Sequence, residues 1–127
     1  MEDLIKKFFK QKNIAVIGSF RSPDKIAYKI AVKLNDRGYS VFPVNPSVSS
    51  VEGMKCYARV KDLPCRIDAA EIITPPQVTE KLIDECAGKN IKIVWMQPGT
   101  HSIQAVKRCK ECGIDAIYDT CILMDFS

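Results

Sequence analysis

The sequence lacks any run of about 18 apolar residues, so no segment reads as a membrane-spanning helix. Its first ten residues, Met1 to Lys10, carry charges throughout. They hold no uninterrupted apolar stretch of the kind an export signal needs, so a cytoplasmic location is expected. Glycine is sparse: after Gly18 the next is Gly38, so the closely spaced glycines of a GxGxxG dinucleotide loop are missing. No Gly-Lys-Ser/Thr marks a Walker loop, and no Gly-x-Ser-x-Gly marks a nucleophile elbow. Histidine occurs once, as His101. The CxxC at Cys109-Lys110-Glu111-Cys112 has no second close Cys/His pair to complete a tetrahedral zinc site. Strong charge of one sign is also missing. A net charge of +4 and a pI near 8.7 suit an anionic small ligand without demanding nucleic acid.

What is present is a chain of 127 residues, 46% hydrophobic, long enough for one compact domain and too short for two. Cys56, Cys65, Cys86, Cys109, Cys112 and Cys121 are expected as reduced thiols, because a chain of this size without an export signal needs no disulfide staples. The CxxC falls near a helix end, before Gly113. A thioredoxin-like pair sits at a helix start, so two small, partly buried residues are the expected reading.

Residues 2–11 place Leu4, Ile5, Phe8 and Phe9 on one stripe and read as a short N-terminal helix, with the lysines solvated. This helix occupies 1–12, and the domain proper runs over 13–127. Ile14 to Gly18 is a continuous apolar run, too short for a helix, and predicts a strand buried on both faces. Ser22-Pro23-Asp24 predicts a helix start, with Ser as cap and Pro in the first turn. Ile26, Ala27, Ile30, Ala31 and Leu34 continue that helix to Gly38. The pattern then repeats. Strands are expected over 40–44, 69–74, 91–96 and 114–118, with Cys56-Tyr57 as a short edge strand and 60–63 as a helical turn. Pro75-Pro76 opens one helix, and Gly99-Thr100 leads into another.

Strands alternating with helices predict an α/β fold, a single Rossmann-like doubly wound domain. Its mostly parallel sheet has about five strands, with helices on both faces. Ligands in such sheets bind beyond the carboxyl ends of the strands. The first strand-to-helix loop, Gly18-Ser19-Phe20-Arg21-Ser22-Pro23-Asp24-Lys25, offers free backbone N–H groups, and Arg21 and Lys25 add positive charge. The second strand ends in Asn45, where an NAD site would carry an acid for the ribose. Asp119 stands at the end of the last strand and is read as a turn cap. His101 is read as an exposed residue in the first turn of a helix. Cys121 follows the last strand and is either a small buried hydrophobe or a reactive thiol.

The order and spacing of several segments resemble the small stand-alone CoA-binding proteins, which are similar to the N-terminal Rossmann domain of the succinyl-CoA synthetase alpha subunit. The resemblance runs from about Asn13 to Cys121. It is carried by Ile14-Ala15-Val16-Ile17-Gly18, Arg21-Ser22-Pro23-Asp24-Lys25, Gly38 to Pro46, Gly53, Leu63-Pro64, Thr74-Pro75-Pro76, Trp95-Met96-Gln97-Pro98-Gly99 and Asp119-Thr120-Cys121. It departs at Ser19-Phe20, where the family usually has Ala-Ser, and at Ala27, where it often has Gly or Ser. The resemblance implies a coenzyme A pocket on the sheet's carboxyl edge. Gly18, Ser19, Phe20, Arg21, Pro23 and Lys25 would wrap the nucleotide and its phosphates, with Phe20 stacking on adenine or crowding the loop. Asn45 and Pro46 would form the second wall. Thr74, Pro75 and Pro76 would press on the adenosine or upper pantetheine, and Gln97 and Gly99 would guide the arm toward its thiol near Cys121.

A CoA synthetase also needs a phosphorylated histidine and a second domain, which the resembling segment does not hold. The expectation is therefore a binder of CoA or acyl-CoA without catalysis of its own. The alternatives are an enzyme component using Cys121, a NAD(H)-binding redox sensor, and a ligand-free scaffold. The expected partner is a small nucleotide ligand, with no nucleic acid and no membrane, and a homodimer or a partner enzyme subunit is left open.

Overall fold

The computed structural model describes residues 1–126. An N-terminal helix α1 (Glu2–Phe9) precedes β1 (Asn13–Ile17), α2 (Ile26–Asp36) and β2 (Ser40–Val44). A small hairpin, β3 (Ser50–Val51) with β4 (Met54–Lys55), and a 3-10 turn (Val60–Asp62) follow. Then come β5 (Ala69–Ile72), α3 (Pro76–Gly88), β6 (Ile93–Met96), α4 (Ile103–Glu111), β7 (Asp115–Ile117) and α5 (Ile122–Asp125). The main sheet has the order β2-β1-β5-β6-β7, with every pairing parallel. The chain moves outward from β1 to β2, then returns to β5 on the other side of β1. The switch in strand order therefore lies between β1 and β5.

Alternate residues of the buried strands feed two cores. Ala15, Ile17, Ala70, Ile72, Val94 and Met96 meet α3 and α4 through Leu82, Ile83, Cys86, Ala105 and Cys109. Ile14, Val16, Ala69, Ile93 and Trp95 meet α1, α2 and α5 through Phe8, Ala27, Ile30, Leu34 and Ile122. The N-terminal helix is thus part of the domain's own packing. Phe8 is fully buried, and its ring meets Trp95 edge-on at 5.2 Å between centroids. Lys7 ties the same helix to Asp115 at the start of β7 at 3.1 Å.

The expected helix start at Ser22 is corrected. Ser22 hydrogen-bonds the Asp24 carboxylate within a turn, so its hydroxyl does not cap, and α2 begins at Ile26 with extended Lys25 as its cap residue. The segment between the second expected strand and Cys56, for which no element is expected, holds the β3–β4 hairpin. Tyr57, expected in an edge strand, makes a single parallel bridge to Val44. Helix α5 was not expected, since Ile122–Asp125 is a single turn with no periodicity to read.

At α4 the hydroxyl of Ser102 accepts from the Ala105 N–H at 3.0 Å and donates to Glu80 at 2.6 Å. It satisfies a free donor of the helix end and pins α4 to α3. Ser102→Ala is expected to cost about 1 kcal/mol in urea unfolding, the usual worth of a helix cap.

Candidate functional site

A pocket of about 560 Å³ opens above the switch between β1 and β5. Gly18 and Ser19 enter from the end of β1, Asn45 and Pro46 from β2, and Thr74 and Pro75 from β5. Six residues implied by the resemblance therefore share one cavity. Gly18 allows the strand-to-helix approach that forms its floor. A Cβ there would lie 2.7 Å from the Ala27 Cβ and 2.9 Å from the Ile73 carbonyl oxygen.

The polar groups in this wall are largely fixed by one another. The Asn45 amide donates to the Gly18 carbonyl at 2.6 Å, while its Oδ1 accepts from the Ser47 N–H at 2.8 Å. Asn45 thus clamps the ends of β1 and β2. Thr74 and Thr79 share a hydroxyl contact at 2.7 Å, and Thr79 also donates toward the Thr74 and Pro75 carbonyls. This locks the turn in which Pro75 caps α3 and Pro76 takes its first position, where no N–H is needed.

The first loop divides. Phe20 is only 4% exposed and packs in the core with Val16, Ala27 and Ile30, so it presents no free face for stacking. Arg21 and Lys25 lie outside the pocket lining, on the exposed or half-buried outer loop. Asp24 sits between them. The Ser22 hydroxyl, followed by backbone bonding and the charges of Lys25 and Lys29, holds its carboxyl below the ordinary range. Pro23 lines a separate depression with Tyr28, Lys29 and Lys33.

Gln97, Gly99 and Cys121 gather elsewhere, over β6 and β7. The buried Gln97 side chain donates to Cys121 Sγ at 3.1 Å and accepts from the Ile122 N–H at 2.8 Å. Gly99, at φ +84°, completes a tight turn in which the Thr100 N–H meets the Gln97 carbonyl at 2.9 Å. His101 precedes α4 rather than occupying its first turn. It is half-buried, with Nε2 3.3 Å from Asp119 Oδ1 and its ring tilted against Tyr118. Asp119 adopts φ +63° at the β7 end, and its carboxylate pairs with His101 rather than capping the turn.

Two residues escaped the sequence reading. Arg59, just before the 3-10 turn, lines the switch-point pocket and has no side-chain partner among the described residues. Only folding brings this exposed cation back over β1. Glu71 is fully buried in β5, in register with Val16 and Trp95. Neither of its carboxyl oxygens has a hydrogen-bond partner among the described residues. Burial pushes its carboxyl well above the ordinary range, and neighbouring Cys121 pushes it the same way. The signal was available: one acid inside a strand expected to be buried on both faces has no solvent side to occupy.

All six cysteines are free thiols. Burial drives Cys86 up to about 12, with Cys109 and Glu85 adding, and Cys109 up to about 11, with Cys112 adding. A redox CxxC is built on a depressed thiol, whereas Cys109 is fully buried in the core against α3. No group of three or more His, Cys, Asp or Glu among the described residues is arranged to hold a metal. No described helix is long and apolar enough to cross a membrane.

An open parallel sheet with its pocket at the switch point defines a Rossmann-like α/β domain. The chain belongs to the CoA binding domain family, whose model matches residues 12–127. An ADP-forming acetate–CoA ligase of Methanocaldococcus jannaschii is 36% identical over 81 residues, which are 64% of this chain and 12% of that protein. The alpha subunit of an ADP-forming acetate–CoA ligase II of Pyrococcus furiosus is 34% identical over 90 residues, 70% of this chain and 20% of the subunit. The chain therefore spans a small part of these ligases. A hypothetical protein from Pyrococcus horikoshii superposes with a TM-score of 0.91 at 31% identity, over 98% of this chain and 87% of that one.

Proposed function

We propose that the domain binds coenzyme A or an acyl-CoA at the carboxyl edge of the sheet, as a binding module without catalysis of its own. One observation carries the reading: the switch-point pocket gathers Gly18, Ser19, Asn45, Pro46, Thr74 and Pro75 with the unpaired Arg59. The residues suit the ligand. Pro46 and Pro75 supply rigid apolar walls of the kind that hold an adenine. Backbone N–H groups of the first loop and the Arg59 guanidinium supply donors and charge for phosphates. Glu85 of α3 also lines the pocket and disfavours an anion beside it. Arg21 and Lys25 extend the positive field outward and would meet the more distal phosphate. Membership in a CoA binding family and relatives named as CoA ligases support the ligand class. NAD is disfavoured by Asn45, which takes the place of a ribose-binding acid and is occupied in clamping the loop.

Calorimetric titration of the reduced protein with CoA, dephospho-CoA and NAD tests this. CoA is expected to bind more tightly than dephospho-CoA, and NAD to give no heat. Arg59→Ala is expected to weaken CoA about tenfold, the usual order for one charge-assisted phosphate contact. Heat with NAD alone would overturn the reading, and an unchanged melting temperature with all three would point to a scaffold.

A further inference from the structure

The carboxyl edge of the sheet carries a second cluster that the switch-point pocket does not use. Cys121 stands at the N-cap position of the short helix α5, makes no side-chain cap hydrogen bond and is half-buried. The Gln97 amide points an N–H at that sulfur from 3.1 Å. The acceptor end of Gln97 is held by the Ile122 backbone, which fixes the orientation of the amide. The indole N–H of Trp95 donates to the Thr120 carbonyl at 2.8 Å, so the backbone before the cysteine is anchored as well. Glu71 is the independent feature. It is a fully buried carboxyl, unpartnered on both oxygens, and neighbouring Cys121 adds to the upward push that burial gives it. Burial raises this carboxyl well above the ordinary range, which favours its uncharged form.

The other thiols are built differently. Cys86 and Cys109 lie fully buried between α3 and α4. Cys56 is buried beside the hairpin, and Cys65 is exposed with no hydrogen-bond partner among the described residues. Among the described residues Cys121 alone combines partial exposure, an aimed amide donor and a place on the ligand edge. The distance also suits one ligand. From β1 to β7 is three strand spacings, about 14 Å, the direction in which an extended thiol-bearing arm would run from a nucleotide held over β1.

We propose that Cys121 is a thiol-exchange site for a disulfide of coenzyme A, with the Gln97 amide holding its sulfur and the buried Glu71 carboxyl beside it. The inference rests on the CoA reading above. The Cys121 thiol gives its proton to solvent, and the thiolate attacks one sulfur of the symmetrical CoA disulfide. A bond forms between Cys121 Sγ and that sulfur, and the original S–S bond breaks. The second CoA leaves as a thiolate and takes up one proton. The protein thiol is oxidised, one CoA is released reduced, and no further oxidant is needed. The result is a stoichiometric modification, reversed by an added dithiol.

Intact-mass spectrometry of the reduced protein, carrying Cys65→Ser to silence the exposed thiol, follows the reaction with CoA disulfide and, separately, glutathione disulfide. One CoA adduct is expected, mapped to Cys121 by peptide analysis, lost on dithiothreitol treatment and missing from the Cys121→Ser variant. It is expected to form about tenfold or more faster than the glutathione adduct, because prior binding makes the encounter intramolecular. Equal rates for the two disulfides would overturn the proposal, as would an adduct on Cys112 or another thiol of the unmutated Cys121 protein. If CoA gives binding heat but Cys121 stays unmodified, the exchange site fails and the CoA pocket stands. If CoA gives no heat and no selective adduct forms, both fall.

Discussion

Glu71→Met is expected to stabilise the protein by about 2 kcal/mol at neutral pH, the order of the penalty for one buried, unpartnered polar group. Methionine is close to glutamate in length and reach, so it fills the space between Val16 and Trp95 without leaving a void. The gain is expected to depend on pH. Burial raises the Glu71 carboxyl in the folded protein, so the native state keeps this proton after the unfolded chain has released it, at about pH 4.3. Between those two values the native state binds more protons, and stability falls as pH rises. The contribution from Glu71 is thus complete below about pH 4.3 and is lost upward. Methionine removes this slope. Urea unfolding of both proteins from about pH 5 to about pH 8 should give curves that diverge with rising pH. Parallel curves, or a less stable variant, would show that the carboxyl finds a partner inside the fold.

Gly18→Ala is expected to destabilise by about 3 kcal/mol, the upper end of what overpacking a closed site costs. The reason is space, not backbone conformation: the added methyl meets the Ala27 Cβ at 2.7 Å and the Ile73 carbonyl oxygen at 2.9 Å. One neighbour belongs to α2 and the other to the backbone leaving β5, so relief requires moving a helix or the end of a strand. Either movement strains the Asn45 clamp on the Gly18 carbonyl and narrows the pocket. The double variant Gly18→Ala/Ala27→Gly should lose less than the sum of the single variants, because one clash is removed. Strict additivity, or a Gly18→Ala protein within about 0.5 kcal/mol of the parent, would mean that the helix yields easily.

The sheet was legible because its strands are short apolar runs, all but the last followed within a few residues by glycine or proline, and its helices alternate with them. Gly38 and Gly113 stop helices α2 and α4 at positive φ, where the chain pattern places them. The places that escaped are those set by contacts between distant segments. Nothing local in Ser22-Pro23-Asp24 distinguishes a helix cap from a turn closed on its own aspartate. Arg59 reaches the pocket only through the fold's return over β1, and His101 meets Asp119 only because β6 and β7 are neighbours. At the candidate site, the β1, β2 and β5 segments converge in one cavity. Gln97 and Cys121 form a pair of their own, which the order of residues along the chain could not separate from the pocket.

The outer strands carry a further consequence. β2 forms one margin of the sheet, and Pro43 within it has no N–H to offer a newcomer. Tyr57 already engages its outer side, accepting from Asn45 at 2.9 Å and donating to the Pro43 carbonyl at 2.9 Å. The opposite margin, β7, is three residues long and flanked by a lysine–aspartate pair. A foreign strand finds no long ladder at either side, so the hydrophobic sheet is guarded against open-ended polymerisation into fibrils.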